Sequence, residues 1–251
     1  MSHEQINTPE YKKLYRGIWA DKLTDQEELP VGGSIFSTEL TTKLKLDFSS
    51  FEQDLASITP EKIAEHYEKN GDSIRKWLEE IKSDIDPFTF LVAMVVQKKV
   101  DTLLDVKPDA SLDERSKLYS NGATPLLSEL KGKSACGERA ALGQYLLQRL
   151  GVESSYMSGI SIENAEDVES YPEDHSFIVL HHEGNDIVFD IARPKSQENL
   201  PRLLRPSIPF NAETFDEKED ALVETKEVLQ GQKIYFGVGD PASGNRNILR
   251  K

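Results

Sequence analysis

The sequence contains one cysteine, Cys136, in a setting that favours nucleophilic chemistry. Ser134 is a suitable N-cap for the helix that follows, which places Cys136 near the second helical position. Unpaired backbone N–H groups and the positive end of the helix dipole favour a thiolate there, and the thiolate is the reactive form. The same N–H groups can donate to an oxyanion, and Gly137 leaves room beside the sulfur. This segment alone fits equally well a cysteine that only packs the first helical turn.

His175 is the histidine best placed to act as a base. It begins the apolar run 176–180, so we expect its backbone to be held rigidly at a strand end. An imidazole can accept a proton near neutral pH. The other four histidines lie in a predicted exposed turn (His181 and His182), near the N-terminus (His3) and on a charged helix (His66).

Asp190 lies within a predicted strand at 187–191, where burying a carboxylate requires a partner. Residues 183–184 are the predicted centre of a hairpin turn that joins this strand to the one that begins at His175. With that turn, Phe177 lies opposite Asp190, and His175 lies one diagonal step away on the same face. A carboxylate at this place can accept the ring N–H of His175, as in a nucleophile–base–acid triad.

The segments that carry these three residues resemble transglutaminase-like domains. Residues 132–152 (GKSACGERAALGQYLLQRLGV) are similar to the nucleophile helix of that family, and the strand that follows contains a Ser-Gly pair at 158–159. Residues 174–177 (DHSF) resemble the histidine strand, and residues 189–194 (FDIARP) resemble the aspartate segment. The likeness spans about residues 121–195.

The resemblance implies a papain-like α+β core, with the nucleophile helix packed on an antiparallel sheet and a Cys136–His175–Asp190 triad. It implies a thiol-dependent acyl transferase or amide hydrolase that forms a thioester, such as a transglutaminase, a deamidase or a cysteine protease. One alternative is an enzyme similar to arylamine N-acetyltransferases, which take the acyl group from acetyl-CoA. This alternative lacks support because no Arg-Gly-Gly-x-Cys run is present. A second alternative is a non-catalytic binding module on the same fold.

The sequence departs from the family at positions near the expected site. Ser176 stands where many members have alanine, and no upstream Trp or Gln is an obvious partner for an oxyanion. Asn121, Tyr119 and Gly137 are therefore the candidate residues for oxyanion or substrate binding.

The apolar spacing and the Pro and Gly positions predict the surrounding elements. Predicted helices cover residues 59–70, 73–82, 87–104, 112–119, 134–150 and 213–229, and predicted strands cover 152–162, 176–180, 187–191 and 233–238. Residues 28–47 are predicted as loop that includes a short strand, and residues 194–209 as a proline-rich surface strap. These elements predict a mainly helical N-terminal region (1–110), a catalytic core (111–240) and a flexible tail (241–251).

Composition narrows the classes of partner. The net charge of −14, from 44 acidic and 30 basic residues, disfavours nucleic acid and anionic membranes. No signal peptide or membrane-spanning run is evident, so we expect a cytoplasmic protein, with export by a dedicated secretion system left open. No HExxH pattern or second cysteine supports a metal site, and no cofactor is expected. The expected partners are a protein or peptide substrate and a small amine acceptor.

Overall fold

The structure is a computed structural model that describes most of the chain. The described residues are 10–14, 17–31, 42–104, 112–163, 172–182, 184–192, 200–215, 221–229 and 231–238. The predicted tail at 241–251 and residues 194–199 of the predicted strap lie outside these ranges. Within the described residues, no helix has the length and apolar character needed to cross a membrane.

Six α-helices and several 3₁₀ turns are described. The helices are α1 (Glu52–Leu55), α2 (Pro60–Glu80), α3 (Pro87–Leu104), α4 (Leu112–Leu118), α5 (Cys136–Arg149) and α6 (Ala212–Phe215). The predicted helices at 87–104, 112–119 and 134–150 are confirmed, with boundaries within two residues. The position of α5 is the important one, because Cys136 is its first residue.

The prediction of two helices between residues 59 and 82 was wrong, because α2 runs unbroken through Asn70 and Gly71. The Thr59 side chain accepts the Lys62 N–H at the start of α2, as an N-cap residue does. At the expected break, the Asn70 side-chain amide donates to the carbonyl oxygen of His66 at 3.0 Å, within the same helix. A glycine inside a helix costs only about 1 kcal/mol relative to alanine, which is too little to end a helix that packs against α3.

Ten strands form two antiparallel sheets. The strands are β1 (Lys12–Leu14), β2 (Gly17–Ala20), β3 (Glu28–Pro30), β4 (Lys43–Lys45), β5 (Ser154–Glu163), β6 (Glu173–His182), β7 (Asn185–Phe189), β8 (Leu203–Pro206), β9 (Ala221–Glu227) and β10 (Lys233–Val238). The main sheet has the order β1-β2-β5-β10-β9-β8-β7-β6, and β5 also pairs with β6. The last six strands of that order therefore close into a barrel, with β2 and β1 added at β5. The expectation of helices with an antiparallel sheet is confirmed as a mixed helix and sheet fold.

The barrel strands alternate between two buried faces. Phe177 of β6 and Phe236 of β10 belong to a cluster that draws side chains from all six strands and fills the barrel. Ile178 and Phe189 belong to the cluster on the outer face, which α3 and α5 cover. His175 and His181 share the odd-numbered, inward parity of Phe177, so β6 carries one histidine towards each end of the barrel interior.

Two predictions for the C-terminal third were wrong. In place of a helix over 213–229, the described residues form the short α6 and then β9. Alternate residues of β9 are buried, and this period of two outweighs the helix propensity of its acidic residues. The predicted surface strap contains β8, which pairs with β7 and β9 and begins with two buried leucines.

The N-terminal region contributes directly to the sheet. The segment expected to be mainly helical also contains β1 to β4, and β2 pairs with β5 through Trp19 opposite Met157. The division at residue 110 stays a prediction, but the sheet of the predicted core includes strands from both sides of it.

Candidate active site

Cys136 is the first residue of α5 and is partly exposed. Ala135, and not the predicted Ser134, is the N-cap residue, so Cys136 lies one position earlier in the helix than expected. The reason is that the Glu138 carboxylate reaches back to accept the Ala135 N–H at 2.7 Å, while the Ser134 hydroxyl is buried without a partner among the described residues. The sulfur-bearing residue is still in the first turn, where backbone N–H groups lack intrahelical acceptors.

His175 and Asp190 are joined by a hydrogen bond. The distance from His175 Nε2 to Asp190 Oδ1 is 2.9 Å, and both side chains are about 98% buried or more. The predicted hairpin register is confirmed, since His182 pairs with Asn185 and Ile178 pairs with Phe189. This bond occupies one ring nitrogen of His175 and leaves Nδ1 for another partner.

Cys136 lies close enough to the His175 side chain to influence its pKa. Burial by itself lowers the pKa of His175. The charge and hydrogen bond of Asp190, together with the proximity of Cys136, outweigh burial and raise the pKa to about 10. At neutral pH the ring is therefore an imidazolium, which stabilises negative charge on the neighbouring sulfur.

Aromatic side chains and a close strand contact fix the His175 ring. The ring is stacked on Phe177, with centroids 6.3 Å apart, and its centroid is 6.1 Å from that of Phe236. Its partner across the sheet is Gly159, where a Cβ atom would lie 2.1 Å from the carbonyl oxygen of Gly237. Only glycine fits this close approach of β5 and β10, so the Ser-Gly pair of the sequence has a structural reason.

Arg202 is a charged neighbour of Asp190 that the sequence did not reveal. Its Nη1 atom lies 2.6 Å from Glu163 Oε1 and 3.5 Å from Asp190 Oδ2. The guanidinium is buried, so its charge offsets that of the buried Asp190 carboxylate on the side away from His175. The segment was predicted to be a surface strap, and its sequence contains no signal for this contact.

A second charged network lies on the α5 side of Cys136. The fully buried Glu138 accepts hydrogen bonds through Oε1 from Arg115 Nη2 at 2.7 Å and from the Tyr119 hydroxyl at 2.5 Å. Burial, and then the negative charge of Glu138, raise the pKa of Tyr119 well above its usual range. The Tyr119 proton is thus held by Glu138, and its predicted part in oxyanion binding stays a prediction.

The two other candidates for oxyanion or substrate binding lie in different settings. Asn121 is exposed on the 3₁₀ turn Ser120–Gly122 and has a left-handed backbone with φ of 59°. Gly137 is buried, and a Cβ atom there would lie 3.2 Å from Val31 Cγ1 and 3.7 Å from Ser176 Oγ. The space beside Gly137 is therefore filled by protein, contrary to the room that the sequence suggested.

Ser176 has a hydrogen-bonding role beneath the start of α5. Its hydroxyl lies 2.7 Å from Ser158 Oγ and accepts from the Tyr156 hydroxyl at 3.2 Å. All three side chains are buried. An alanine at this position would remove one hydrogen-bond partner from each of the buried hydroxyls of Ser158 and Tyr156. This loss accounts for the serine in this chain.

No group of three or more His, Cys, Asp and Glu side chains in the described part of the chain is arranged to hold a metal ion. His175 and Asp190 are joined by a hydrogen bond, and Cys136 is close enough to His175 to influence its pKa. This arrangement is suited to moving a proton between a nucleophile and a base.

Asp174 precedes His175 on β6 and has a buried carboxyl oxygen, Oδ1, with no hydrogen-bond partner among the described residues. Burial raises the pKa of Asp174 to about 6, although the charges of His175 and Arg115 act in the opposite direction. Asp174 lies on the same face of β6 as Ser176, and Ser176 is next to Gly137. Asp174 is therefore an acidic group beside the candidate site whose charge is not fully compensated.

We expect Asp174→Asn to stabilise the protein at pH 7.5. Because the folded pKa lies above the unfolded value, the stability linked to Asp174 is complete below about pH 4 and is lost as pH rises through 6. The substitution removes this loss, which corresponds to on the order of 1–3 kcal/mol at pH 7.5 and close to none at pH 4. The free energy of unfolding in urea, measured for the wild type and the variant at pH 7.5 and at pH 4, gives this difference. A gain of equal size at both would contradict the titration of Asp174 as its cause.

Comparisons with known proteins give little further information. No protein-family model matches the chain, and no curated protein matches it. One similar solved structure is described as "Crystal Structure Analysis of Arylamine N-acetyltransferase C from Bacillus anthracis". The similarity covers 70% of this chain and 74% of that chain, with 16% identical residues and a TM-score of 0.31. A TM-score this low does not establish a shared fold, so the function has to be argued from the site.

Proposed function

We propose that this protein is a thiol-dependent acyl transferase or amide hydrolase that works through a thioester on Cys136. The observation that carries the proposal is the buried hydrogen bond of His175 to Asp190, with Cys136 at the start of α5 close enough to influence the pKa of His175. A nucleophile, a base and an orienting carboxylate arranged in this order are the parts that covalent acyl transfer requires.

In the proposed reaction, the Cys136 sulfur attacks the carbonyl carbon of a carboxamide or peptide bond. Backbone N–H groups in the first turn of α5 stabilise the oxyanion that develops. The His175 ring gives its proton to the departing nitrogen as the C–N bond breaks, which leaves a thioester and releases ammonia or an amine. His175 then takes a proton from water or from a second amine as that group attacks the thioester. The C–S bond breaks, and the Cys136 sulfur leaves as a thiolate beside the protonated His175.

The transglutaminase-like type, with a protein or peptide substrate and a small amine as a second acceptor, is supported by the resemblance of the Cys136, His175 and Asp190 segments to that family. An enzyme of the arylamine N-acetyltransferase type would use the same three residues but take the acyl group from acetyl-CoA. A binding module on the same fold would form no thioester. The two enzymatic forms differ in the acyl donor that Cys136 accepts, and the binding module accepts none.

The test compares the wild type with Cys136→Ala. We expect nitrophenyl acetate to add one acetyl group to the wild type, detected by intact mass and localised to Cys136 by peptide mapping, and to add none there in the variant. Glutamine-containing peptides are then screened for ammonia release, and acetyl-CoA is screened for release of free coenzyme A. Ammonia release that depends on Cys136 supports the amidase form, and coenzyme A release supports the acetyltransferase form.

Two results would overturn the proposal. The first is a folded wild-type protein that acquires no acyl group on Cys136 from the activated ester. The second is equal turnover of every donor by the wild type and Cys136→Ala. Matching thermal unfolding curves for the two proteins show that the comparison is between folded molecules.

A further inference from the structure

A second nucleophile–histidine–aspartate set lies at the other end of β6. Ser155 Oγ is 2.8 Å from His181 Nε2, and His181 Nδ1 is 2.9 Å from Asp186 Oδ1. His175 and His181 are six residues apart on the inward face of one strand, which is about 20 Å. His181 is bonded to Asp186 on β7, and His175 is bonded to Asp190 directly after β7. The other ring nitrogen of His181 is next to the Ser155 hydroxyl.

The prediction that His181 is a solvent-exposed turn residue was wrong. Its side chain is 23% exposed, and both ring nitrogens are within hydrogen-bond distance of a partner. The Phe210 backbone N–H donates to Asp186 Oδ2 at 2.6 Å, which fixes that carboxylate in turn. The support for the histidine is therefore comparable to the support that His175 receives from Asp190.

Ser155 and His181 line a cavity of about 590 Å³, a volume that accommodates a small organic ligand. The Asn211 side chain also lines it, and Asn211 Oδ1 accepts from the backbone N–H and hydroxyl of Thr214. The other polar atom of this side chain is the amide nitrogen, which can only donate. It is thus a candidate donor to a substrate carbonyl oxygen.

The charge of the cavity selects the substrate. Asp21, Glu153 and Glu213 line it, and His181 is the one basic side chain among the lining residues described. Trp19 adds an aromatic ring whose centroid is 6.2 Å from that of His181. Carboxylates and an indole ring attract an organic cation and repel carboxylate or phosphate groups.

Asp21 holds the serine in a resting state. The Ser155 hydroxyl has one proton and two acceptors, Asp21 Oδ1 at 2.7 Å and His181 Nε2 at 2.8 Å. Trp19 Nε1 donates to the same Asp21 oxygen at 2.7 Å. A cationic group that pairs with Asp21 competes with the serine for that carboxylate and leaves the hydroxyl to donate to His181.

We propose that Ser155, His181 and Asp186 form a second hydrolytic site that cleaves acyl esters carrying a cationic group. Ser155 Oγ bonds to the carbonyl carbon while its proton passes to His181 Nε2. The ester C–O bond breaks, and the departing alcohol takes that proton. Water then attacks the acyl-serine, giving its proton to His181, which returns it to Ser155 as the acid leaves. None of these steps uses Cys136, so the inference does not depend on the function proposed above.

The test uses the full chain with Cys136→Ala, which removes the thiol site. A fluorophosphonate probe is expected to label Ser155, located by peptide mapping. Glycine nitrophenyl ester, which carries an ammonium group, is expected to be hydrolysed at least about 10-fold faster than nitrophenyl acetate once the buffer rates are subtracted. Adding Ser155→Ala should abolish labelling and reduce hydrolysis about 100-fold or more, whereas His181→Gln should reduce it by about 10²–10⁴. Ser161→Ala, a buried serine at the other end of β5, is the matched control and should change neither.

Asp21→Asn tests the selection of a cation. We expect the ratio of the two hydrolysis rates, glycine nitrophenyl ester over nitrophenyl acetate, to fall towards one. The variant no longer holds the Ser155 hydroxyl, so the acetate ester reacts faster, and the ammonium group of the glycine ester loses its carboxylate partner. The proposal would be overturned if the fluorophosphonate probe formed no adduct on Ser155 in a Cys136→Ala protein whose unfolding temperature equals that of the wild type. Equal hydrolysis with and without Ser155, or thermal stabilisation by glycine ethyl ester with no turnover of either nitrophenyl ester, would also overturn it.

Discussion

Replacing His175 with glutamine is expected to slow the acylation of Cys136 by nitrophenyl acetate by about 10²–10⁴-fold, the range lost when a general base is removed. Glutamine has a similar length and keeps an amide that can donate to Asp190, but it has no group that exchanges a proton near neutral pH. The burst of nitrophenolate and the mass of the acyl-enzyme, followed against time, measure the effect.

Controls separate a chemical role of His175 from a structural one. Asp190→Asn should also slow acylation, because Asp190 orients the His175 ring through a hydrogen bond and raises its pKa. The double variant should be no slower than His175→Gln, since residues that act as one unit are not additive. Asp72→Asn, which changes an exposed carboxylate on α2, should leave the rate unchanged. Acylation of His175→Gln at the wild-type rate would rule out His175 as the base.

Glu138→Gln is expected to cause the largest loss of stability among single conservative changes near the site. The substitution keeps the shape of the side chain but leaves the Arg115 guanidinium, 18% exposed, without its carboxylate. Breaking a buried ion pair from one side costs about 3 kcal/mol or more. For a chain of this length, that corresponds to a fall of roughly 6–12 °C in the unfolding temperature. Differential scanning calorimetry at pH 7.5 measures the change.

Glu129→Gln is a matched control for Glu138→Gln. Glu129 Oε2 accepts the Leu126 N–H at 2.8 Å, the same kind of backbone contact that Glu138 makes with Ala135, but Glu129 is exposed and pairs with no buried cation. We expect Glu129→Gln to cost less than about 1 kcal/mol. Adding Arg115→Met to Glu138→Gln should recover part of the loss, since the unpaired charge is then removed. Equal effects of Glu138→Gln and Glu129→Gln would show that the buried ion pair contributes little.

The arrangement of His175 and Asp190 could be predicted because it depends on short-range order. Both residues lie on one hairpin, and the side-chain period of two places them on one face for any turn shifted by a whole residue pair. The start of α5 was predictable to within one residue for a similar reason, because N-cap and C-terminal glycine signals are local.

The second set of residues could not be predicted in the same way. Asp21 and Ser155 are 134 residues apart in the sequence, and only the pairing of β2 with β5 brings their side chains together. His181 was assigned to an exposed turn because its neighbours in the sequence are His182 and Glu183. The predicted hairpin register does place it opposite Asp186, but its other partner, Ser155, lies on β5. Arg202 was missed because a proline-rich composition does not reveal that β8 lies inside the sheet order.

The β9 segment shows how two local signals compete. Residues 213–229 are rich in Glu, Lys and Leu, which have good helix propensity. Within them, Ala221, Val223 and Thr225 are buried at a spacing of two, and their backbone groups pair with β10 and β8. Propensity differences of a few tenths of a kcal/mol per residue are small compared with the burial and pairing of a barrel strand, so the tertiary context decides.

The pairing of β2 with β5 has a consequence for the order in which the chain folds during synthesis. A ribosome adding about 5–20 residues per second needs roughly 7–27 s to progress from Asp21 to Ser155. During that time β2 can pair with β1 but not with β5, and contacts of such high sequence separation form late and slowly. Asn211 emerges later still. The cavity around Ser155 is therefore completed only after most of the chain has been made, and the edge of β2 that later pairs with β5 is open to wrong pairings for most of that interval.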